Sequence, residues 1–149
     1  ENLIMRMPVE GRQMNVNTGK IENTGAEAQV AYRFSPLWSA EANYSYLHMS
    51  KPIPGAPGHK FYAGATYMPG RFTLNVNMQS VFDLYTDAEC SKKEDFATLN
   101  AKVAYRFGTR DKGLNLFVKG ENLLAQRYEI NAGYPMPKAT FMVRINLNF

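Results

Sequence analysis

The sequence predicts an all-β chain, an antiparallel up-and-down meander of about eight strands with two unlike faces. Three observations lead there. Apolar residues recur at every second position in segment after segment. The connections between segments alternate between tight turns and long loops. Aromatic residues collect near the segment ends, on the apolar side.

Successive side chains of a strand point to opposite faces, so a period of two is the mark of a strand. Taken in order, Asn2–Met7 is a partial strand with ambiguous alternation, and Val9–Lys20 reads as a long loop. Thr24–Phe34 sets Ala26, Ala28, Val30, Tyr32 and Phe34 against Glu27, Gln29 and Arg33. Trp38–Tyr46 sets Trp38, Ala40, Ala42, Tyr44 and Tyr46 against Ser39, Glu41, Asn43 and Ser45. Lys60–Met68 follows the pattern less cleanly, with Phe61, Ala63, Ala65 and Tyr67 on one side. Arg71–Val81 opposes Phe72, Leu74, Val76 and Met78 to Thr73, Asn75, Asn77 and Gln79. Ala97–Phe107 and Gly113–Asn122 repeat the arrangement, and Phe141–Phe149 closes the series with Phe141, Val143, Ile145, Leu147 and Phe149. No helix is needed.

Three connections are tight: Ser35-Pro36, Met68-Pro69-Gly70 and Gly108–Lys112. The others are long: Val9–Lys20, Ser50–His59, Asp83–Asp95 and Leu123–Met136. In a meander alternate connections lie at opposite ends of the sheet. One end therefore carries short turns and the other carries the long loops.

Composition narrows the function classes. At 149 residues, 45% hydrophobic and 20% charged, the chain can form one domain and is no disordered segment. No run approaches the roughly 20 apolar residues of a spanning helix. The net charge of +4 is scattered rather than gathered on one basic face, which argues against nucleic acid. A single cysteine, Cys90, excludes an internal disulfide and reads as a loop residue.

The two faces decide between water and membrane. A soluble sandwich builds its apolar face from interlocking large side chains. Here that face is thinned by Ala26, Ala28, Ala40, Ala42, Ala63, Ala65, Ala97 and Ala101. A transmembrane barrel inverts the arrangement, turning apolar residues to lipid and polar ones to a wet lumen. Phe34, Trp38, Tyr67, Phe72, Tyr105, Phe107 and Phe149 lie near the short-turn end, and Tyr44, Tyr46 and Phe61 toward the other. Rings gathered at both strand ends make a pair of interfacial girdles. Strands of about 9–11 residues suit a tilted membrane strand, and only a closed barrel satisfies strand backbones in lipid. The expectation from the two faces is a transmembrane β-barrel.

At Glu121-Asn122-Leu123-Leu124, through Arg127-Tyr128-Glu129 and Gly133-Tyr134-Pro135 to the final strand, the chain resembles the C-terminal end of a TonB-dependent outer-membrane receptor. Upstream, PGAPGHKFYAGATY (Pro54–Tyr67), NTGAE (Asn23–Glu27) and NYSYL (Asn43–Leu47) resemble other stretches of that family, in the right order. One departure is that Pro137 is followed by Lys138 and Ala139, where the family often has Gly and then Arg. The resemblance implies that residues 1–149 are the C-terminal portion of a barrel of about 22 strands, without the plug domain and earlier strands. It implies uptake of a scarce large ligand, an iron–siderophore, haem or cobalamin, by binding and gated passage rather than catalysis. The implied partners are outer-membrane lipid, the TonB complex acting through the plug, and the barrel-assembly machinery, which would read Phe149 as a terminal signal.

No catalytic constellation appears, and no cofactor is expected. His48 and His59 lack further ligands at metal spacing. Asp83, Asp87, Glu89, Glu94 and Asp95 cluster in one loop, where a solvated acidic loop is favoured over a Ca²⁺ site. Glu27, Arg33, Glu41, Lys102, Arg106, Lys119, Glu121 and Arg144 share the polar face, and Arg33, Arg106 and Arg144 are expected on a wall facing the plug. The candidate ligand contacts are Tyr85, Arg127, Tyr128 and Tyr134, at the long-loop end that outer-membrane barrels turn outward. The alternative is a complete eight-stranded barrel with an adhesin or structural role. That requires Asn2–Met7 to pair with Thr140–Phe149.

Overall fold

The computed structural model describes residues 2–9, 11–108 and 112–148, and the terminal Phe149 lies outside them. Its strands in chain order are β1 (Asn2–Val9), β2 (Arg12–Lys20), β3 (Asn23–Arg33), β4 (Trp38–Met49), β5 (Pro57–Tyr67), β6 (Phe72–Tyr85), β7 (Lys93–Gly108), β8 (Gly113–Glu121), β9 (Glu129–Asn131), β10 (Tyr134–Pro135) and β11 (Thr140–Asn148). Seven of them form one antiparallel sheet in the order β11-β8-β7-β6-β5-β4-β3. The meander is therefore as the alternation demands. Each strand pairs with its sequence neighbour, and β11 returns to β8 after the loop that holds β9 and β10.

Two expectations are corrected. The segment Val9–Lys20 is not a loop. Val9 pairs with Arg12 around Gly11, whose φ of 76° is the left-handed turn conformation, and β1 and β2 form a hairpin of their own. Gln13, Asn15 and Asn17 alternate with Met14 and Val16, a short polar-rich period of two that extends over these residues. The closed eight-stranded barrel is also not formed. β1 pairs with β2, while β11 pairs with β8, so the sheet is open among the described residues.

The long loops are shorter than the sequence suggested. β6 runs 14 residues and β7 runs 16, leaving only residues 86–92 between them. The register slips between Val81 and Leu84, where Asp83 sits at φ 59° and its N–H donates to Asp95 Oδ1 at 2.7 Å. A bulge of this kind interrupts the period of two, which hides the continuation of the strand from a pattern search.

In register, Ala40, Ala42, Ala63 and Ala65 lie together mid-sheet, facing the same way as Val76, Met78 and Leu99. Rings crowd the turn end of this face. Trp38 stacks on Tyr67 at 4.3 Å, and Phe72, Tyr105 and Phe107 follow at 4.5 Å spacings. At the loop end Tyr44 Oη meets His59 Nδ1 at 2.7 Å. Among the described residues nothing covers this face, and Val30, Tyr32, Phe34, Phe141 and Val143 are all more than half exposed. A monomer in water does not leave so continuous an apolar surface bare.

Candidate functional site: the polar face and its loop-end cleft

Among the described residues the buried hydrophobic core is small: Val81, Leu84 and Phe96, with Tyr128 packed against them. It lies on the polar face. Val81 and Phe96 are register partners and continue the rows of Gln79 and Thr98. Above mid-sheet, then, the polar face turns apolar, and the last loop folds over it. The Tyr128 ring stacks on Phe96 at 3.9 Å and 19°. Burial raises the Tyr128 phenol above its ordinary value, with a smaller push from Glu121.

Asn122 holds this loop. It ends β8 in the left-handed region, at φ 47°, a conformation that asparagine tolerates better than most residues. Its side chain is buried and fully used. Nδ2 donates to Gln126 O at 2.9 Å and to Pro137 O at 3.1 Å, and Oδ1 accepts from Gln126 N at 3.1 Å. The Asn122 N–H donates to Asn100 Oδ1 at 3.0 Å. From there a row of amides crosses the wall. Asn100 donates to Asn77 at 3.0 Å, Asn77 to Asn75 at 3.0 Å, and Asn75 to Thr66 Oγ1 at 2.9 Å. One polar chain thus joins β5, β6, β7 and the last loop.

A second tie joins the last loop to residues 86–92. Lys92 Nζ lies 2.6 Å from Glu129 Oε2 and 3.6 Å from Glu94 Oε1. Ala132 N–H donates to Thr86 O at 2.9 Å, and Gly133 N–H to Glu129 Oε2 at 2.9 Å. The hydrogen bond to Glu129 raises Lys92, and the same bond, with that of Gly133, lowers Glu129. Asp87 caps its own loop, accepting from Ser91 N–H and Oγ–H and from Lys92 N–H, which lower its carboxyl to about 2. Burial, then the charge of Asp87, pushes the Cys90 thiol up. Of the acidic residues in this loop, Asp83 is engaged with His59 and Lys93, and Asp95 with the Asp83 N–H. No group of three or more His, Cys, Asp or Glu suited to a metal occurs among the described residues.

Between these ties opens a cleft of about 380 Å³ lined by Glu94, Arg127, Tyr128, Glu129, Pro135, Met136 and Lys138. A second, of about 540 Å³, lies on the same side between Glu27, Ser45 and Lys60, under Gly55–Pro57. A third concavity, about 600 Å³, is a shallow groove among the alanines of the apolar face. Its walls offer few polar groups to orient a ligand, so the loop-end clefts are the stronger candidates.

The sequence candidates are placed as follows. Arg127 and Tyr128 share the smaller cleft. Tyr134 stands at the β9–β10 tip, 73% exposed. Tyr85 is on the opposite face, with Lys93 Nζ 5.9 Å from its ring. Arg106 and Arg144 share the polar face of β7, β8 and β11, where Arg144 and Lys102 approach Phe117 at 5.8 and 4.6 Å. Arg33 is on β3, at the far edge of the sheet. Sequence reasoning missed Asn122, the Lys92–Glu129 tie and the loop-end core. Val81 and Phe96, apolar residues in polar rows, were the visible signal for that core.

The fold resembles two solved structures. The Copper transporter OprC superposes with a TM-score of 0.78 at 20% identity, over 99% of this chain and 27% of that one. The ferric-catecholate import receptor Fiu from E. coli K12 gives 0.68 at 22% identity, over 88% of this chain and 21% of that one. The chain thus spans about a quarter of the length of the structures it matches. The family model described as TonB dependent receptor-like, beta-barrel matches residues 1–123, so the chain belongs to the TonB-dependent receptors, whose barrels reside in the outer membrane of Gram-negative bacteria.

Proposed function

We propose that this chain forms part of the barrel wall of a receptor that takes up a scarce, metal-bearing ligand across the outer membrane. Its apolar face meets lipid, its polar face lines the lumen, and its loop end is extracellular. The observation that carries the reading is the loop-end cleft. There Arg127 and Tyr128 stand on a loop fixed by Asn122, above a wall whose other face is bare and apolar. The cargo class covers an iron–siderophore, haem or cobalamin, and the names of the two similar structures add copper and a ferric catecholate.

The mechanism is binding and gated passage. The TonB complex would act through a plug, whose contact wall includes Arg33, Arg106 and Arg144. Arg127 supplies charge, while Tyr128 and Tyr134 supply rings. The test is uptake by cells whose complete receptor carries this chain, challenged with ferric siderophores, haemin, cyanocobalamin and copper. Arg127→Ala should weaken uptake of one of them by about tenfold, the effect of losing one charged contact. Unchanged uptake of every cargo would sink the reading.

A further inference from the structure

The polar face carries two kinds of surface. β6 is free of charge from Phe72 to Phe82, and its residues on this face include Thr73, Asn75, Asn77 and Gln79. Charge returns to either side. Glu27, Arg33 and Glu41 stand on β3 and β4, and Lys102 with its register partner Lys119, Arg106 and Arg144 stand on β7, β8 and β11. Lys102, Arg106 and Arg144 are exposed, whereas Asn75, Asn77 and Asn100 are half-buried on the same open face.

The amides are half-buried because they lie on one another. Asn100 donates to Asn77 at 3.0 Å, Asn77 to Asn75 at 3.0 Å and Asn75 to Thr66 Oγ1 at 2.9 Å. Each amide therefore gives a bond along the wall and receives one. Tyr62 lies down as well. Its Oη passes over Gly64 to donate to Glu41 at 3.0 Å, and a Cβ on Gly64 would stand 2.8 Å from that oxygen. Gly64 and Glu41 are register partners, so the ring follows the wall instead of standing off it. The result is an uncharged strip of low relief across β5, β6 and β7. Its upper end meets the last loop, where Asn100 Oδ1 accepts from the Asn122 N–H at 3.0 Å.

A polar surface whose groups already satisfy one another loses little against water and gains little from a docked polypeptide. Exposed cations behave in the opposite way, since each gains from a fixed acid or acceptor facing it. We propose that the strip of Tyr62, Thr66, Asn75, Asn77 and Asn100 lines a water-filled path between wall and plug, down which the cargo passes from the loop-end cleft. The flanks hold the plug, through Arg33 on one side and Arg106 and Arg144 on the other. The strip between them is where the plug lets go. The proposal rests on the transport reading above and gives the passage a place on the wall. Amides offer hydrogen bonds to water and to a passing solute without holding either by charge.

The experiment uses a complete receptor carrying this chain in respiring cells, with Cys90→Ser and any other thiol removed. The probe is a membrane-impermeant methanethiosulfonate. Asn77→Cys and Asn100→Cys place thiols on the strip, and Asn115→Cys places one beside Arg106, its register partner. The strip thiols should react about tenfold faster than Asn115→Cys, because thiol reactivity follows access to water. Before modification both strip variants should import whichever of ferric siderophores, haemin, cyanocobalamin and copper the wild type imports. After modification that uptake should be lost while binding at the cell surface persists. Heat-modifiable gel migration confirms the barrel in each case. Strip thiols that react no faster than Asn115→Cys would overturn the path, and so would modification that leaves uptake intact. Uptake already lost in both folded variants before modification would assign the amides to structure alone, which also overturns it. Wild-type import of none of the four cargoes would count against the transport reading, and the ratio of labelling rates would decide the water path separately.

Discussion

The side-chain amide of Asn122 reaches fifteen residues along the chain to the carbonyl of Pro137, at 3.1 Å. With its bonds to Gln126 it closes the last loop at its base, while the Asn122 N–H ties that base to Asn100 on the wall. The loop carrying Arg127, Tyr128 and Lys138 is thus seated by one buried residue.

Asn122→Ala removes three side-chain hydrogen bonds and leaves the part-buried Gln126 and Pro137 carbonyls without that partner. The expected loss is about 2–4 kcal/mol, from roughly 1 kcal/mol per bond with a desolvation cost added. Asn122→Asp keeps the acceptor and loses the donors, so it should fall between. Thermal unfolding in detergent micelles checks both. A melting point equal to wild type for Asn122→Ala would remove the hub from this account.

Tyr128→Ala uncovers Phe96, Val81 and Leu84. Truncating a buried ring costs about 3–5 kcal/mol, and the lower end is expected here because Tyr128 is half-buried. Tyr128→Phe keeps the stack and should melt like wild type. If it also keeps ligand affinity, Tyr128 serves packing and the hydroxyl plays no part in binding.

Gly120 is held by close approach rather than by its φ. A Cβ there would lie 2.7 Å from Leu123 Cδ2 and 3.2 Å from the Phe141 ring. Gly120→Val should destabilise by about 1–3 kcal/mol through overpacking. Gly120→Val combined with Leu123→Ala should recover part of that loss, which a double-mutant cycle measures. Strict additivity would refute the contact.

The tie between the two loops should hold across a wide pH window. Asp87 and Glu129 have folded values below their ordinary 3.8 and 4.5, so their stabilisation is complete above those values and is lost as pH falls through the lowered ones. Lys92 is raised from 10.5, so its contribution persists below that value and is lost as pH climbs past the raised one. Spin labels on Cys90 and on Ile130→Cys should report one narrow distance from about pH 5 to 10, broadening toward pH 2. Broadening near neutrality would contradict the tie.

The sequence alone determined the wall. Period-two alternation needs only the strand geometry of each segment, so Phe141 to Leu147 could be assigned to one face without knowing its neighbours. The sheet order followed because short connections leave a meander little choice. The bareness of the apolar face followed as well, because alanines such as Ala42 and Ala63 fill no core. Only the tertiary structure decided what happens where the period breaks. The bulge near Asp83, the core of Val81 and Phe96 beneath Tyr128, and the reach of Asn122 to Pro137 are long-range or irregular, and no repeat encodes them. The pairing of like charges is of the same kind. Lys102 and Lys119 are seventeen residues apart in the chain, and only the register of β7 on β8 sets them face to face.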